Sequence, residues 1–349
     1  MKATQQLDFL NTKPSKLVAT NHGFPREPYL TTNTGVLFNA DCLDIFGTIK
    51  SETVHCIFAD PPFNLGKEYK NGLSDQLEQE AYLDWTKSWL SEAIRVLVPG
   101  GSLFVYNIPK WLIHISGFLM DKMAFRHWIA ITMKNTYPRG NNLYPAHYGL
   151  LYFTKGIPRV FHKLRVPIPV CRHCGKEIKD YGGHRDKLND AGLNLTDFWE
   201  DTSPVRHNKF KTRVSNELKP MIPERAILMS TNPDDIVLDP FGGGGTTFQI
   251  AEKNRRYWIG MEIGPCEPIV ERLQYFVNAK FGHLSGDELR ACFVSDATTS
   301  EATAQSQTTL TYAIREARKK IAERKPKLKK KRILRSKKQV AEAKTKKKK

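Results

Sequence analysis

The sequence predicts an α/β fold with a largely parallel sheet, because short apolar runs repeatedly end in an acidic residue. Three such runs, residues 54–59, 237–238 and 257–261, are followed directly by Asp60, Asp239 and Glu262. Runs of this length that are rich in β-forming residues are typical of buried strands. Ligands bind at the carboxyl edge of the strands in open α/β sheets. These three acidic residues are therefore candidates for a common site.

The first of these strands leads into the segment Asp60-Pro61-Pro62-Phe63. Two prolines in succession fix φ twice and supply no backbone N–H, so the Asp60 carboxylate and the Pro61 carbonyl form a rigid pair of acceptors. Phe63 adds a flat ring beside them. The set suits a planar group that carries an NH2, such as the exocyclic amine of adenine or cytosine. A plain turn with a helix-capping carboxylate is the alternative interpretation.

The second strand leads into a glycine-rich turn, residues 241–245, and then into a helix that begins near Thr246. Glycines of this kind let the backbone approach a ligand closely. A phosphate-binding loop would need Gly-Lys-Ser/Thr, whereas this chain has Gly245-Thr246-Thr247. A nicotinamide-dependent dehydrogenase would share the glycines and an acid about twenty residues on, here Glu262, at the spacing that meets ribose hydroxyls. It would not explain the Asp-Pro-Pro-Phe segment.

Together, the two segments resemble the amino-methyltransferases of DNA. Asp60-Pro61-Pro62-Phe63 is similar to the catalytic motif of that family, and Phe241-x-Gly243-x-Gly245 is similar to its motif for S-adenosylmethionine. The catalytic motif precedes the cofactor motif, an order that resembles the β group of the family. The resemblance covers roughly residues 36 to 275. It implies a Rossmann-like methyltransferase fold, circularly permuted, with an inserted target-recognition region.

The resemblance also implies roles for individual residues. It assigns catalysis to Asp60, Pro61, Pro62 and Phe63. It places Asp41, which ends an earlier strand, against the adenine of the cofactor, although Asp41 could instead cap the following helix. The full set of candidate cofactor residues is Asp41, Lys219, Pro220, Asp239, Phe241, Gly243, Gly245, Thr246 and Glu262.

The chain divides into five predicted regions. They are an N-terminal arm (1–34), a catalytic half (35–155), a target-recognition insert (156–211), a cofactor-binding half (212–280), and a linker with a basic, disordered tail (281–349). The insert is rich in Arg, Lys, His and Asn, which suit the reading of base edges, although such charges could also only solvate a loop-rich surface. Within it, Cys171 and Cys174 form a lone Cys-x-x-Cys pair. A structural zinc usually takes four ligands, so we expect two reduced thiols and no metal; a zinc site completed by His173 and His184 is the alternative.

The charge of the chain points to a polyanionic partner. The formal net charge is +18, and residues 313–349 carry 19 Lys or Arg against three Glu. Blocks of like charge repel and favour nonspecific contact with phosphates, so we expect double-stranded DNA as the partner. A tail that only improves solubility is the alternative. With neither a membrane-spanning run nor a signal-peptide pattern, the sequence predicts a cytoplasmic protein.

The sequence therefore predicts an enzyme that transfers a methyl group from S-adenosylmethionine to the exocyclic N6 of adenine in DNA, after base flipping. N4 of cytosine presents the same amine geometry and is the alternative. An inactive DNA-binding relative and a methyltransferase of RNA or protein are further alternatives. The resemblance also allows for a companion restriction endonuclease, as in restriction-modification, and for a homodimer.

Overall fold

The structure is a computed structural model that describes most of the central part of the chain. The described ranges are 26–32, 34–65, 77–132, 145–168, 191–201 and 218–277, with the isolated positions 141, 143, 170, 173, 174 and 189. The basic tail, residues 1–25 and Cys171 lie outside the described residues.

Eleven strands are present in the described residues. They are β1 (Leu30–Thr31), β2 (Gly35–Phe38), β3 (Val54–Ala59), β4 (Leu97–Asn107), β5 (Ala124–Thr132), β6 (His147–Thr154), β7 (Arg165–Val166), β8 (Leu193–Asn194), β9 (Phe198–Trp199), β10 (Ile236–Asp239) and β11 (Tyr257–Met261). Nine of them form one sheet in the order β1-β2-β11-β10-β3-β4-β6-β5-β9, and β7 pairs with β8. The five strands from β2 to β4 in this order are parallel.

Six helices connect the strands in the described residues. They are α1 (Cys42–Phe46), α2 (Gln79–Val96), α3 (Pro109–Met120), α4 (Met221–Ser230), α5 (Thr246–Lys253) and α6 (Glu267–Val277). The apolar spacing of α2 buries Tyr82, Trp85 and Trp89 on one face. Trp85 and Trp89, four positions apart in the sequence, therefore share the buried face of the helix.

The path of the chain reverses within the parallel sheet. The connections β2-α1-β3 and β3-α2-β4 step in one direction, whereas β10-α5-β11 steps in the other. Right-handed crossovers therefore place α5 on the face opposite to α1 and α2. Consistent with this, α1 packs on α2, and α5 packs on α4 and α6. The reversal falls between β3 and β10, which is the place where open α/β sheets bind ligands.

Both predicted halves contribute to this one sheet rather than to separate bodies. β2, from the predicted catalytic half, lies beside β11 of the predicted cofactor half. Two strands also lie in regions that the sequence interpretation set apart from the fold. β1, in the predicted arm, pairs with β2, and β9, in the predicted insert, pairs with β5 at the far edge. Trp199 of β9 is buried, and this burial explains why the segment joins the sheet.

The described part of the chain contains no helix that is long and apolar enough to cross a membrane.

Candidate active site

Asp60 follows β3 directly, at the edge where the sheet reverses. The residue as a whole is half-buried, and no donor among the described residues forms a hydrogen bond with its carboxylate. The surrounding protein displaces water from the carboxylate, and the charge of Asp239 adds repulsion, so that the pKa of Asp60 rises to about 8. The result is a carboxyl group whose pKa lies near neutral pH. Its oxygens accept no hydrogen bond from the described residues.

Three aromatic rings pack together beside the Asp-Pro-Pro-Phe segment. The Phe63 ring centroid lies 5.9 Å from that of Tyr106 and 5.7 Å from that of Tyr148. Burial raises the pKa of both tyrosines, and the charge of Asp60 contributes to the rise. The Asp-Pro-Pro-Phe segment therefore lies against a cluster of aromatic rings, a surface that suits a flat ring.

Tyr106 and Tyr148 were missed by sequence reasoning. Tyr106 lies near the carboxyl end of β4, beside β3, and a rule that inspects the end of every predicted strand could have found it. Tyr148 lies at the beginning of β6, which reaches the same edge only because β6 runs antiparallel to β4. Strand direction is a tertiary property, and no local pattern in the sequence signalled it.

The residue after the segment, Asn64, has a left-handed backbone with φ of 51°. Its side-chain oxygen accepts a hydrogen bond from the backbone N–H of Leu77 at 2.7 Å, and its amide nitrogen donates to the Leu77 carbonyl at 3.0 Å. Asparagine tolerates this backbone conformation better than most residues. Asn64 thus links the end of the Asp-Pro-Pro-Phe segment to Leu77, two residues before α2.

The glycine turn follows β10, the strand next to β3. Gly243 and Gly245 have φ of 57° and 75°, values that favour glycine. A Cβ at Gly245 would lie 2.8 Å from Cγ2 of Ile269 in α6, so this position also needs glycine for packing. The turn thus lies close to the sheet edge, at the start of α5, and the N–H groups of Gly242 and Gly245 donate hydrogen bonds to the carbonyls of Met261 and Gly242.

Asp239 is buried at the start of this turn. Its Oδ1 accepts a hydrogen bond from the Phe241 backbone N–H at 2.9 Å. Burial raises the pKa of Asp239 to about 7, against the lowering effect of the hydrogen bonds from Thr247 and Phe241. Asp239 therefore holds the turn in shape. Phe241 turns its ring towards α2, where the centroids of Trp85 and Trp89 lie at 5.6 and 5.2 Å.

Glu262 follows β11 and contacts the glycine turn. Its Oε2 accepts a hydrogen bond from the Gly243 N–H, and its Oε1 accepts one from the Gly264 N–H, each at 2.6 Å. Asn39, after β2, donates through Nδ2 to the carbonyls of Glu262 at 2.7 Å and Gly264 at 2.8 Å. The loops after β2, β10 and β11 are thus hydrogen-bonded into one edge.

Asp41 lies on this edge as the N-cap of α1. Its carboxylate accepts a hydrogen bond from the Leu43 N–H at 3.1 Å, which is the capping role expected as the alternative. The side chain keeps part of its surface exposed, so the second carboxylate oxygen leaves room for a ligand donor. Capping and ligand binding are therefore compatible for this residue.

Lys219 and Pro220 begin α4, the helix that leads into β10. Pro220 is the N-cap of α4, and the charge of Lys219 helps to lower the pKa of the Asp201 carboxyl, which Arg225 lowers most. A helix that precedes a parallel strand starts near the carboxyl edge of the sheet, so Lys219 and Pro220 lie on the same side as the glycine turn.

The residue types on this edge fit S-adenosylmethionine. Carboxylates follow the neighbouring strands β11 and β2, where they can accept hydrogen bonds from ribose hydroxyls and an adenine amine. The positive φ at Gly243 allows a ligand to approach the backbone closely. The candidate residues therefore supply acceptors and space where such a cofactor needs them.

Side chains suited to a metal do not cluster anywhere in the described ranges. His173 and Cys174 are both exposed, and their predicted neighbour Cys171 is not among the described positions.

Comparison with known proteins places the chain in a family. The family model described as DNA methylase matches residues 54–269. The Type II methyltransferase M.BamHI of Bacillus amyloliquefaciens is 53% identical over 249 residues, which cover 71% of this chain and 59% of that enzyme. The DNA adenine methyltransferase YhdJ of Escherichia coli (strain K12) is 27% identical over 235 residues, covering 65% and 78% of the two chains.

A solved structure shares the fold. The cytosine-N4-specific PvuII DNA methyltransferase superposes with a TM-score of 0.52 at 20% identity, covering 76% of this chain and 94% of that one. The fold is thus the α/β fold of the S-adenosylmethionine-dependent DNA methyltransferases, which confirms the predicted fold class. The family match extends from β3 into α6 and includes both the Asp60 segment and the glycine turn. The chain belongs to the DNA methylase family.

Proposed function

We propose that this chain is a DNA methyltransferase that modifies an exocyclic amine of a base, with S-adenosylmethionine as cofactor. The observation that carries the proposal is the Asp60–Pro61 segment next to the cluster of Phe63, Tyr106 and Tyr148, on the strand adjacent to the one that leads into the glycine turn. The names of the relatives M.BamHI and YhdJ, a Type II methyltransferase and a DNA adenine methyltransferase, agree with it.

The chemical task of the site is to activate a weak nucleophile. The lone pair of an exocyclic amine is delocalised into the base ring. Asp60 and the Pro61 carbonyl accept the two amine hydrogens, which draws the lone pair out of the ring plane. The bound cofactor supplies the methyl group as an electrophile. Positioning and electrostatics therefore provide most of the rate enhancement.

The proton that the amine loses needs an acceptor. Asp60 has a pKa of about 8, so it can hold a proton near neutral pH. General acid–base groups work best when their pKa lies near the working pH. Asp60 thus combines two roles, orienting the amine and receiving its proton.

A base inside a duplex cannot reach this site, so the target base is flipped out of the helix. Phe63 stacks on the flipped ring, with Tyr106 and Tyr148 as the neighbouring walls. Unstacking costs a few kcal/mol, which the aromatic contacts and the amine hydrogen bonds offset.

N6 of adenine is the target in this proposal, and N4 of cytosine is the second candidate. Both amines present two hydrogens in the plane of the ring, so the acceptors at Asp60 and Pro61 fit either. An aspartate before Pro-Pro favours adenine through the family resemblance, as does the name of YhdJ.

The remaining residues hold cofactor and DNA. Glu262 binds the ribose, Asp41 binds the adenine of the cofactor, and the turn with Phe241, Gly243, Gly245 and Thr246 lies against the methionine part. Lys219, Pro220 and Asp239 shape that pocket. The 156–211 insert reads the sequence of double-stranded DNA. A companion restriction endonuclease and a homodimer belong to the same proposal, in agreement with the Type II name of M.BamHI.

One experiment tests the function directly. The protein is incubated with radiolabelled S-adenosylmethionine and mixed-sequence duplex DNA, and the DNA is digested to nucleosides. Label in N6-methyladenine supports the adenine proposal, and label in N4-methylcytosine supports the second candidate. DNA without label, from protein that binds both cofactor and DNA, would identify an inactive relative. RNA and histone peptides serve as substrate controls.

A further inference from the structure

The two prolines of the catalytic segment impose a structural problem. Pro61 and Pro62 have no backbone N–H, so the segment cannot be fixed by donating hydrogen bonds at these positions. Only its carbonyls can anchor it there. A catalytic carboxylate must nonetheless be held within a fraction of an ångström to act, so other residues have to supply donors to those carbonyls.

Tyr82 supplies the first donor. Its hydroxyl, on α2, donates a hydrogen bond to the Pro62 carbonyl at 2.8 Å. Asn107, at the end of β4, donates through Nδ2 to the Tyr82 oxygen at 3.1 Å. The side-chain oxygen of Asn107 in turn accepts a hydrogen bond from the Ile108 N–H at 2.7 Å. Because Asn107 occupies the acceptor side of the hydroxyl, Tyr82 directs its proton to Pro62.

Trp111 supplies the second donor. Its indole Nε1–H, on α3, donates to the Phe63 carbonyl at 2.7 Å. An indole nitrogen only donates, so this contact has a single direction. Tyr82 and Trp111 are both almost fully buried, and their ring centroids are 4.6 Å apart. The two donors therefore form one packed unit between α2 and α3, with little freedom to move.

The same unit leaves the Pro61 carbonyl to the substrate. Pro62 and Phe63 accept hydrogen bonds from Tyr82 and Trp111, whereas no described residue donates to the Pro61 carbonyl. The pattern separates the two anchored carbonyls, of Pro62 and Phe63, from the Pro61 carbonyl, which accepts no hydrogen bond from the described residues.

We propose that Tyr82 and Trp111 are positioning residues for methyl transfer, which act by holding the carbonyls of Pro62 and Phe63. The proposal rests on the proposed function, because the group that they position is the Asp60–Pro61 acceptor pair. Neither side chain is expected to touch the base or the cofactor. Their removal should lower kcat with little effect on the affinity for cofactor or DNA.

Tyr82→Phe is the cleanest test because it removes one hydroxyl and keeps the ring. Tyr152→Phe is the matched control, since Tyr152 is another buried tyrosine, on β6 rather than on α2, and its hydroxyl lies by Ser102, away from the Asp-Pro-Pro-Phe carbonyls. Single-turnover methylation, cofactor titration calorimetry and thermal unfolding are measured for both variants. We expect methyl transfer by Tyr82→Phe to be about ten- to a hundredfold slower, with cofactor affinity unchanged. Tyr152→Phe should retain the wild-type rate even if its Tm falls equally.

Two further measurements separate positioning from general loss of packing. Trp111→Phe should show the same split, a lower kcat at unchanged cofactor affinity. Combined with Asp60→Ala, Tyr82→Phe should cost less than threefold more, because a positioning effect vanishes once the positioned group is gone.

Equal losses for Tyr82→Phe and Tyr152→Phe at equal Tm, or full additivity with Asp60→Ala, would overturn the positioning role. Failure of the proposed function gives a different result, because the wild-type protein would then transfer no methyl group to DNA.

Discussion

Asp60 and Asp239 end the adjacent parallel strands β3 and β10, and the charge of Asp239 helps to raise the pKa of Asp60. The first residue begins the segment that receives the amine, and the second begins the turn proposed for the cofactor. Their proximity follows from the reversal of strand order between β3 and β10. The charge of one acid therefore affects the ionisation of another that lies 179 positions away in the chain.

The first prediction concerns the pH dependence of catalysis. Asp60 accepts an amine hydrogen in its ionised form, and its pKa in the free protein is about 8. The value of kcat/KM should therefore rise by about tenfold per pH unit below pH 8 and level off above it. Initial rates of methylation between pH 6 and 9.5 check this. A flat profile across that range would remove Asp60 from the reaction.

The second prediction concerns stability. The pKa of Asp60 in the folded protein lies above its ordinary value of 3.8, so the folded state binds the proton more tightly than the unfolded state. The stability of the wild-type protein should accordingly fall as pH rises from about 4 to 8. Asp60→Asn removes the charge and should raise Tm by a few degrees at pH 8.5, with a smaller gain at pH 5. Thermal unfolding of both proteins at the two pH values measures this difference in Tm. A larger gain at pH 5 than at pH 8.5 would contradict the raised pKa of Asp60.

The third prediction concerns the chemical step. Asp60→Ala should retain cofactor binding but lose methyl transfer by at least about a hundredfold, as expected on loss of one preorganised electrostatic group. Single-turnover rates and cofactor calorimetry on the same preparation check both parts. Glu78→Ala is the control, because Glu78 is a carboxylate at the start of α2 without a side-chain capping bond. Near-normal turnover of Asp60→Ala would refute the assignment.

The fourth prediction concerns the glycine turn. Gly243→Val should abolish cofactor binding, because a β-branched side chain would fill the space next to the backbone and strain a φ of 57°. Gly156→Val is the control that separates backbone strain from loss of the space for the cofactor. Gly156 also has a positive φ, of 84°, but has open space around it. Calorimetry should show lost affinity only for Gly243→Val. Unchanged affinity in the folded variant would make the turn purely structural.

Several parts of the fold and site were predictable because their signals are local. The strands that end in Asp60, Asp239 and Glu262 are short apolar runs, and they were confirmed as β3, β10 and β11. The apolar face of α2 was equally visible in the spacing of Trp85 and Trp89. Each of these features depends on a few consecutive residues.

Other features depend on contacts between distant segments and could not be predicted from the sequence. β9 is only two residues long, and it joins the sheet because Trp199 is buried against the core. The bond from Trp111 to the Phe63 carbonyl spans 48 positions. Glu262 was expected at the ribose, but its bonds to the Gly243 and Gly264 amides follow from the fold alone. The assignment of the target-recognition insert stays a prediction.

The last prediction concerns the basic tail, which is known here only from its sequence. Each Lys or Arg that neutralises a phosphate releases condensed counterion, so the logarithm of DNA affinity falls with the logarithm of salt concentration by about 0.9 per contact. Truncation after Thr311 removes the 19 Lys or Arg residues of 313–349. The truncated protein should therefore bind all DNA sequences more weakly, with a flatter salt dependence.

The methylated site should stay the same after truncation, because base reading is assigned to residues 156–211 and phosphate contacts carry no sequence information. Fluorescence anisotropy with specific and nonspecific duplexes at 50 to 300 mM salt gives the salt dependence of DNA affinity for the full-length and the truncated protein. Sequencing of the methylated DNA gives the methylated site. A full-length variant with its tail lysines changed to glutamine controls for length. Equal slopes would mean that the tail does not touch DNA, and a changed site would place recognition in the tail.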